Sequence, residues 1–471
     1  MVRGLKSGGN KKCLIIFLVA AVIRGLLFFS VLEHPQMIFQ PDSRMYAGLA
    51  EGIRQHGSFS GPDTSWEPNV ERMIGYPVFL AFLLSMFGGS YLAVVAFQAV
   101  LDSVSCVLVG VLGERVWSGT GLLAGIFAAV NLNMLTYSLF VLSDSLFLLI
   151  LLVGILAMIR FLEKPVWRAG AFLGVFLGLA TLVRPVLFYF SIFLMPFLWA
   201  FFVWKKRVSI ARSAGLVLVS GLLFAVVVVP WFIRNQAVGG RFQLTSQAGE
   251  HLLQYVVPFV WQYSKGTPFI EGMKKANREM ALKNEQEAVD WKRLSAFERS
   301  ERQVDMAIEI LKKEPLLAII KAWGFGMAKN LFAPAIIDLS YLLNVERPHF
   351  FYTQGKTLVD RGINFVKGIE GWFGWAVLGS LVLMPIVRLA QLWGLICLFR
   401  KEAWIAGLFT LIIGYFLLVS GPVGYAKYRL PFEPVLIVLL GVGIKEIASR
   451  FPVMRLRRSP SAKVEGSRIR Q

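Results

Sequence analysis

Ten apolar stretches, each of roughly 17 to 25 residues, run through this sequence at 13–32, 90–112, 119–139, 143–162, 169–186, 187–204, 212–233, 374–398, 403–420 and 431–447. A helix of about 20 such residues crosses the hydrocarbon core of a bilayer, and little else can accommodate so many of them in one chain. With 56% hydrophobic and only 17% charged residues among 471, an array of soluble domains is excluded. The chain reads as an all-α polytopic membrane protein. Its three cysteines, Cys13, Cys106 and Cys397, all lie inside apolar runs, which excludes a disulfide framework or a zinc cluster built from them.

Charge sets the expected orientation. The segments that join alternate spans, together with the two tails, are strongly basic, as in RLRRSPSAKVEGSRIRQ at the end. On the other side, residues 33–72 carry three basic against six acidic residues and 234–370 carry 19 against 15. The positive-inside rule then puts both termini in the cytoplasm. The expected layout is an N-tail (1–12), spans one to seven (13–233) with an outer loop at 33–89, a large extracytoplasmic loop (234–373), spans eight to ten (374–447) and a basic cytoplasmic tail (448–471). The first run passes Arg24 and reaches Leu32 without a small-residue cleavage site, so it reads as a retained helix. The run 315–335 would reverse the tail if it crossed, and is expected to lie at the interface. The basic tail suits anionic lipid headgroups better than nucleic acid, so no nucleic-acid partner is expected.

Chemistry should be sought where polar residues sit at a cost or in the outer loops. In QPDSRMYAGLAEGIRQH (40–56), Tyr46, Leu49, Ala50 and Ile53 recur at helical spacing. Asp42 there has two readings, a helix cap or a carboxylate above the bilayer that takes a proton. Glu71 and Arg72 precede a Gly-Tyr-Pro turn and an apolar run too short to span, read as a re-entrant or interfacial helix. Asp144 and Arg184 stand at outer helix ends, suited either to snorkelling or to gripping a phosphate. Trp231 with Arg234, and Tyr425, Lys427, Tyr428 and Arg429, join cations to interfacial aromatics.

Six motifs in order, PDSxxYxxLA (Pro41 to Ala50), ERxxGYPxFLA (Glu71 to Ala81), LSDSLF (Leu142 to Phe147), GLATLVRP (Gly178 to Pro185), PWxIRN (Pro230 to Asn235) and KYRLPxEP (Lys427 to Pro434), resemble the polytopic glycosyltransferases of family 39. That family includes ArnT-like aminoarabinose transferases and protein O-mannosyltransferases, of the GT-C fold class. The resemblance implies inverting transfer of a sugar from a polyprenyl-phosphate donor, within a bacterial inner or plasma membrane, to a glycan, lipid or protein acceptor on its outer face. It implies Asp42 as general base, with Glu71, Arg72 and Arg184 at the family's other site positions. The chain departs from the aminoarabinose branch in its ERMIGYP stretch, and Ser43 follows Asp42 where the eukaryotic mannosyltransferases have an Asp-Glu pair.

The chemistry agrees with that layout. A sugar leaving a phosphate needs cations for the developing negative charge, and Arg72, Arg184, Arg234 and Arg429 are the outer-face candidates. Asp42 is the candidate base, with Glu71, Asp144, Tyr46 and Tyr428 as supporting, metal or acceptor contacts. Whether a divalent metal ion bridges Asp42, Glu71 and the phosphate stays open, and His34 and His56 read as ordinary surface residues. No nucleotide-binding pattern occurs, since Gly355-Lys356-Thr357 has Phe350 where a P-loop needs its first Gly. Two alternatives remain: a glycan polymerase or ligase, and a lipid-linked sugar transporter or flippase with Asp102, Asp144, Arg184 and Arg388 along its path.

Overall fold

The computed structural model describes residues 8–62, 66–346, 353, 358–369 and 371–450. The tail beyond Arg450 and the Gly355–Thr357 triplet lie outside them. Among the described residues the regular elements are all helical, and a single bridge pairs Ser60 with Pro68. The first half contains α1 (Gly8–Glu33), α2 (Pro41–His56), α3 (Gly75–Met86), α4 (Tyr91–Val116), α5 (Gly121–Ala129), α6 (Leu132–Tyr137), α7 (Asp144–Glu163), α8 (Trp167–Val183), α9 (Leu187–Trp204) and α10 (Ile210–Gly239). Between the spans that follow lie α11 (Gln247–Glu250), a π-helical turn (His251–Val256), α12 (Val257–Ser264), α13 (Phe269–Gln286), α14 (Ala296–Lys312), α15 (Leu316–Phe332), α16 (Ile336–Leu342) and α17 (Leu358–Lys367). Then come α18 (Gly371–Lys401), α19 (Ala403–Ser420), a 3₁₀ turn (Ala426–Phe432) and α20 (Glu433–Arg450).

Among the described residues seven helices are long and apolar enough to cross a membrane: α1, α4, α7, α9, α10, α18 and α19. The other three expected spans take different forms for local reasons. The 119–139 run breaks at Asn131, whose side chain accepts the Met134 N–H and starts α6. The 169–186 run stops at Val183, because Arg184 precedes a proline and adopts extended backbone. The last run is helical over 18 residues but carries Glu433, Lys445, Glu446 and Arg450. The 315–335 run, expected as an interfacial helix, has a bent partner just beyond it. The run forms α15, and α15 with α16, which follows across a 63° bend, would suffice for an eighth crossing by length and composition.

Helix packing explains two features of the sequence. α8 lies directly on α10, and a side chain at Gly174 would collide with the Ser220 carbonyl, so backbone meets backbone there. α1 meets α4 through a fully buried ion pair, in which Arg24 Nε donates to Asp102 Oδ2 at 2.7 Å while Nη1 donates to the Ala129 carbonyl at 3.1 Å. Asp102 is therefore committed to joining two helices. Arg388 is likewise engaged, donating to the Leu331 carbonyl at 2.9 Å and to Gln391. Neither side chain lines the large cavity described below.

Candidate active site

The first turn of α2 is built by its neighbours. Pro41 occupies the first helical position, while Gln40 and Ser43 exchange cap hydrogen bonds, with Gln40 N–H donating to Ser43 Oγ at 2.9 Å. Asp42 is thus not needed as the cap, and its carboxylate projects into a cavity of about 1170 Å³. Arg72 Nη2 donates to Asp42 Oδ1 at 2.8 Å, and Lys427 Nζ lies 3.6 Å from Oδ2. Burial pushes the Asp42 carboxyl up, but Lys427, and then Arg72 and Arg184, outweigh it and hold the group below its ordinary range.

Arg72 is aimed by the turn before it. The buried Asn69 accepts the backbone N–H groups of Glu71 and Arg72 at 3.0 and 2.9 Å. Arg72 then crosses the face of Tyr46, 5.5 Å from the ring centre, to reach Asp42. Gly75 begins α3 pressed against the end of α8, where a Cβ would sit 2.7 Å from the Leu182 carbonyl oxygen. That close approach brings the Arg72 turn beside Arg184.

Arg184, at the C-terminal end of α8, lies 2.6 Å from Oδ2 of Asp144, which opens α7. The contact is a close charge pair outside hydrogen-bond angles, and Asp144 has no hydrogen-bond partner among the described residues. Arg184 Nε donates to Ser143 Oγ at 3.0 Å, and the Tyr46 hydroxyl is 3.4 Å from the same oxygen. The Asp144 side chain is fully buried, whereas Arg184 is 20% exposed and lines the cavity.

Lys427 comes from the 3₁₀ turn, which is pinned on both flanks. The Tyr425 and Tyr137 hydroxyls both donate to Asp338. Arg429 Nε donates to Glu433 at 2.5 Å, and Nη1 donates to the carbonyls of Asn330, Leu331 and Ala333. Between these anchors Lys427 and Tyr428 face the cavity, with Lys427 Nζ 4.0 Å from Asp144 Oδ2 as well. Burial raises the Tyr428 hydroxyl above its ordinary value, which keeps it neutral.

Two expected phosphate-binding residues do not reach the cavity. Arg429 is buried, with its charge matched by Glu433, and serves the turn. Arg234 lies between the rings of Trp231 and Phe59, 4.8 and 5.3 Å from their centres, and donates to the Asn69 carbonyl at 2.5 Å. It braces the Asn69 turn that aims Arg72. Glu71 does not line the cavity either, and its charge adds to burial in raising the Glu250 carboxyl. Asp42, Tyr46, Arg72, Arg184 and Tyr428 do converge there. Lys427 was visible in the sequence only as one cation of an aromatic cluster.

The rest of the cavity has two characters. Phe188, Tyr189, Phe232, Phe242, Phe416 and Val419 form an apolar side at the ends of α9, α10 and α19. Thr245, Gln247, His251, Ser300 and Asp305 contribute a polar side from the long segment after α10. Burial lowers the His251 imidazole below its ordinary value, so it is neutral near pH 7. No sequence signal marked these residues, because ordinary polar side chains gain their meaning only from what they face.

No group of three or more His, Cys, Asp and Glu side chains capable of holding a metal occurs among the described residues. The chemistry of the site does not fit a cation at Asp42, since both of its oxygens already face positive groups. His56 packs edge-on against Trp66 at 4.8 Å. Among the described residues the site is suited to an anion.

This all-α polytopic architecture is the GT-C fold of membrane glycosyltransferases. It is similar over 95% of the chain to the archaeal oligosaccharyltransferase AglB from Archaeoglobus fulgidus, with 13% identity and a TM-score of 0.51, and spans 52% of that protein, about half its length. ArnT from Cupriavidus metallidurans is similar over 90% of this chain and 78% of its own, with 13% identity and a TM-score of 0.36. By sequence, residues 72–233 match the family described as dolichyl-phosphate-mannose-protein mannosyltransferase. That segment contains Arg72, Asp144 and Arg184. No curated protein matches the chain.

Proposed function

We propose that this chain is a membrane glycosyltransferase that moves a sugar, with inversion, from a polyprenyl-phosphate-linked donor to an acceptor on the extracytoplasmic face. The observation that carries the reading is the meeting of Asp42 with Arg72, Arg184 and Lys427 at one cavity that also has an apolar side. Three cations suit a phosphate whose charge grows as the sugar departs. The apolar side, formed at helix ends, suits a prenyl chain entering from the bilayer. Asp42, ionised near neutral pH, takes the proton of the acceptor hydroxyl or amine. Arg72 and Arg184 hold the phosphate, Lys427 joins them, and Tyr46 and Tyr428 line the space beside them.

In this reading the polar side contributed by the large loop covers the site and selects the acceptor, a glycan, a lipid or a protein. AglB is an oligosaccharyltransferase seen with a peptide and a dolichol-phosphate, which supports a lipid-phosphate donor in this fold. The decisive experiment is mass spectrometry of glycolipids and envelope glycans from cells with and without the protein, beside cells carrying Asp42→Asn. One glycan should vanish without the protein and stay absent in the variant. Normal product made by a well-expressed Asp42→Asn protein would refute the assigned base.

A further inference from the structure

The site as built carries two handicaps. Both oxygens of the Asp42 carboxylate already face cations, Arg72 Nη2 at 2.8 Å and Lys427 Nζ at 3.6 Å. A carboxylate placed between two positive groups is a poor base, because taking a proton forfeits both attractions. The same cations hold a phosphate poorly while Asp42 occupies them. Arg184 is differently placed: its partner Asp144 is fully buried and keeps it.

The charges close around the reaction. Within this ion-paired cluster Arg72, Arg184 and Lys427 against Asp42 and Asp144 sum to +1, with Asp305 and the Arg241-paired Glu301 outside it on the polar side of the cavity. A sugar phosphodiester carries one negative charge, whereas the released phosphate monoester carries close to two, about −1.5 to −2 near neutral pH. If Asp42 gains a proton as the phosphate leaves, the cluster rises to +2 as the phosphate approaches −2, so the charge of the cluster follows that of the phosphate.

We propose that Asp42 and the donor phosphate compete for Arg72 and Lys427, so that the arriving phosphate frees Asp42 to accept the acceptor's proton, and that proton releases both cations to the leaving phosphate. The inference rests on the sugar-transfer reading of this site. In the step itself, a lone pair of the acceptor oxygen or nitrogen forms the bond to the anomeric carbon. The carbon–oxygen bond to phosphate breaks with its electron pair on the phosphate oxygen, and the acceptor's proton passes to Asp42. By linkage, whatever the phosphate does to the basicity of Asp42, protonation of Asp42 does to the hold on phosphate. Lys427 is the more loosely paired of the two shared cations: it lies 3.6 and 4.0 Å from two carboxylates, and an ammonium has no fixed fork to keep.

The test is binding, separate from turnover. Farnesyl phosphate, a monoester, and its methyl diester serve as probes for the purified full-length protein in detergent, measured by calorimetry. Asp42→Asn imitates the protonated carboxyl, and it should bind farnesyl phosphate about tenfold or more tightly than the natural protein. The diester should gain less, and adding Lys427→Met to the Asn variant should remove most of the gain. Asp42→Ala, neutral but of different shape, should show the same gain, which keeps the test valid should the Asn variant fold poorly. Farnesyl phosphate affinity unchanged or weakened in both neutral variants, with their thermal unfolding intact, overturns the competition. An inactive Asp42→Asn protein with unchanged affinity removes only this inference, whereas one that still transfers sugar removes the underlying assignment of Asp42.

Discussion

Replacing Arg184 with Ala should damage the protein twice, and the two injuries separate in a double variant. The Asp144 side chain is fully buried and pairs with Arg184 at 2.6 Å. Breaking a buried pair from one side costs about 3–5 kcal/mol, because the remaining charge keeps its desolvation penalty. Lys427 Nζ stays 4.0 Å from the same oxygen and offsets part of that, so the lower end, about 3 kcal/mol, applies here. On the proposed function sugar transfer should fall by about 10²–10³ as well, since Arg184 is there one of the groups assigned to the leaving phosphate. Adding Asp144→Asn removes the orphaned charge, and most of the lost stability should return while transfer stays low. Denaturant unfolding in detergent reads the first quantity and transfer from a labelled lipid-linked donor reads the second. Full stability in the Arg184→Ala protein would show that Asp144 is not desolvated as the fold requires. Restored transfer in the double variant would show that Arg184 matters only as the partner of Asp144.

Three further outcomes follow from the same geometry. Lys427 and Arg72 hold Asp42 below its ordinary range, so the stability contributed by its ionised form is present above about pH 4 and is lost as pH falls through the depressed value. Lys427→Met should therefore move the acid limb of kcat/KM to higher pH, and an unmoved limb would uncouple Lys427 from Asp42. Asn69→Ala leaves the backbone N–H groups of Glu71 and Arg72 without their acceptor, which should cost about 1–3 kcal/mol in unfolding measurements and weaken donor binding with no change of charge. Exchanging residues 240–345 for those of a relative should change which acceptor is used, and unchanged acceptor choice would take the large loop out of that role.

The helical membrane class was legible from composition and run length, because a bilayer imposes one dominant requirement on every spanning segment. The resemblance in six short motifs pointed to the fold, and Asp42, Arg72 and Arg184 could be marked as polar residues beside helix ends. Span boundaries were harder to read, since the break at Asn131 and the bend between α15 and α16 depend on local caps and contacts that hydropathy averages away.

Which cation does what was decided only by the tertiary structure. Lys427 and Arg429 are two residues apart beside the same aromatics, yet one faces the cavity and the other is spent on Glu433 and three carbonyls. In a turn with three residues per revolution, positions two apart point in different directions. Only the anchors at Asp338 and Glu433 choose which direction looks into the site. Arg234 was similarly ambiguous, because an aromatic neighbour signals equally an interfacial belt, a ligand contact or the stacked brace found between Trp231 and Phe59. Sequence records which charges a chain carries, but the partner that neutralises each one comes from segments up to hundreds of residues away, and that pairing settles whether a charge remains available for a ligand.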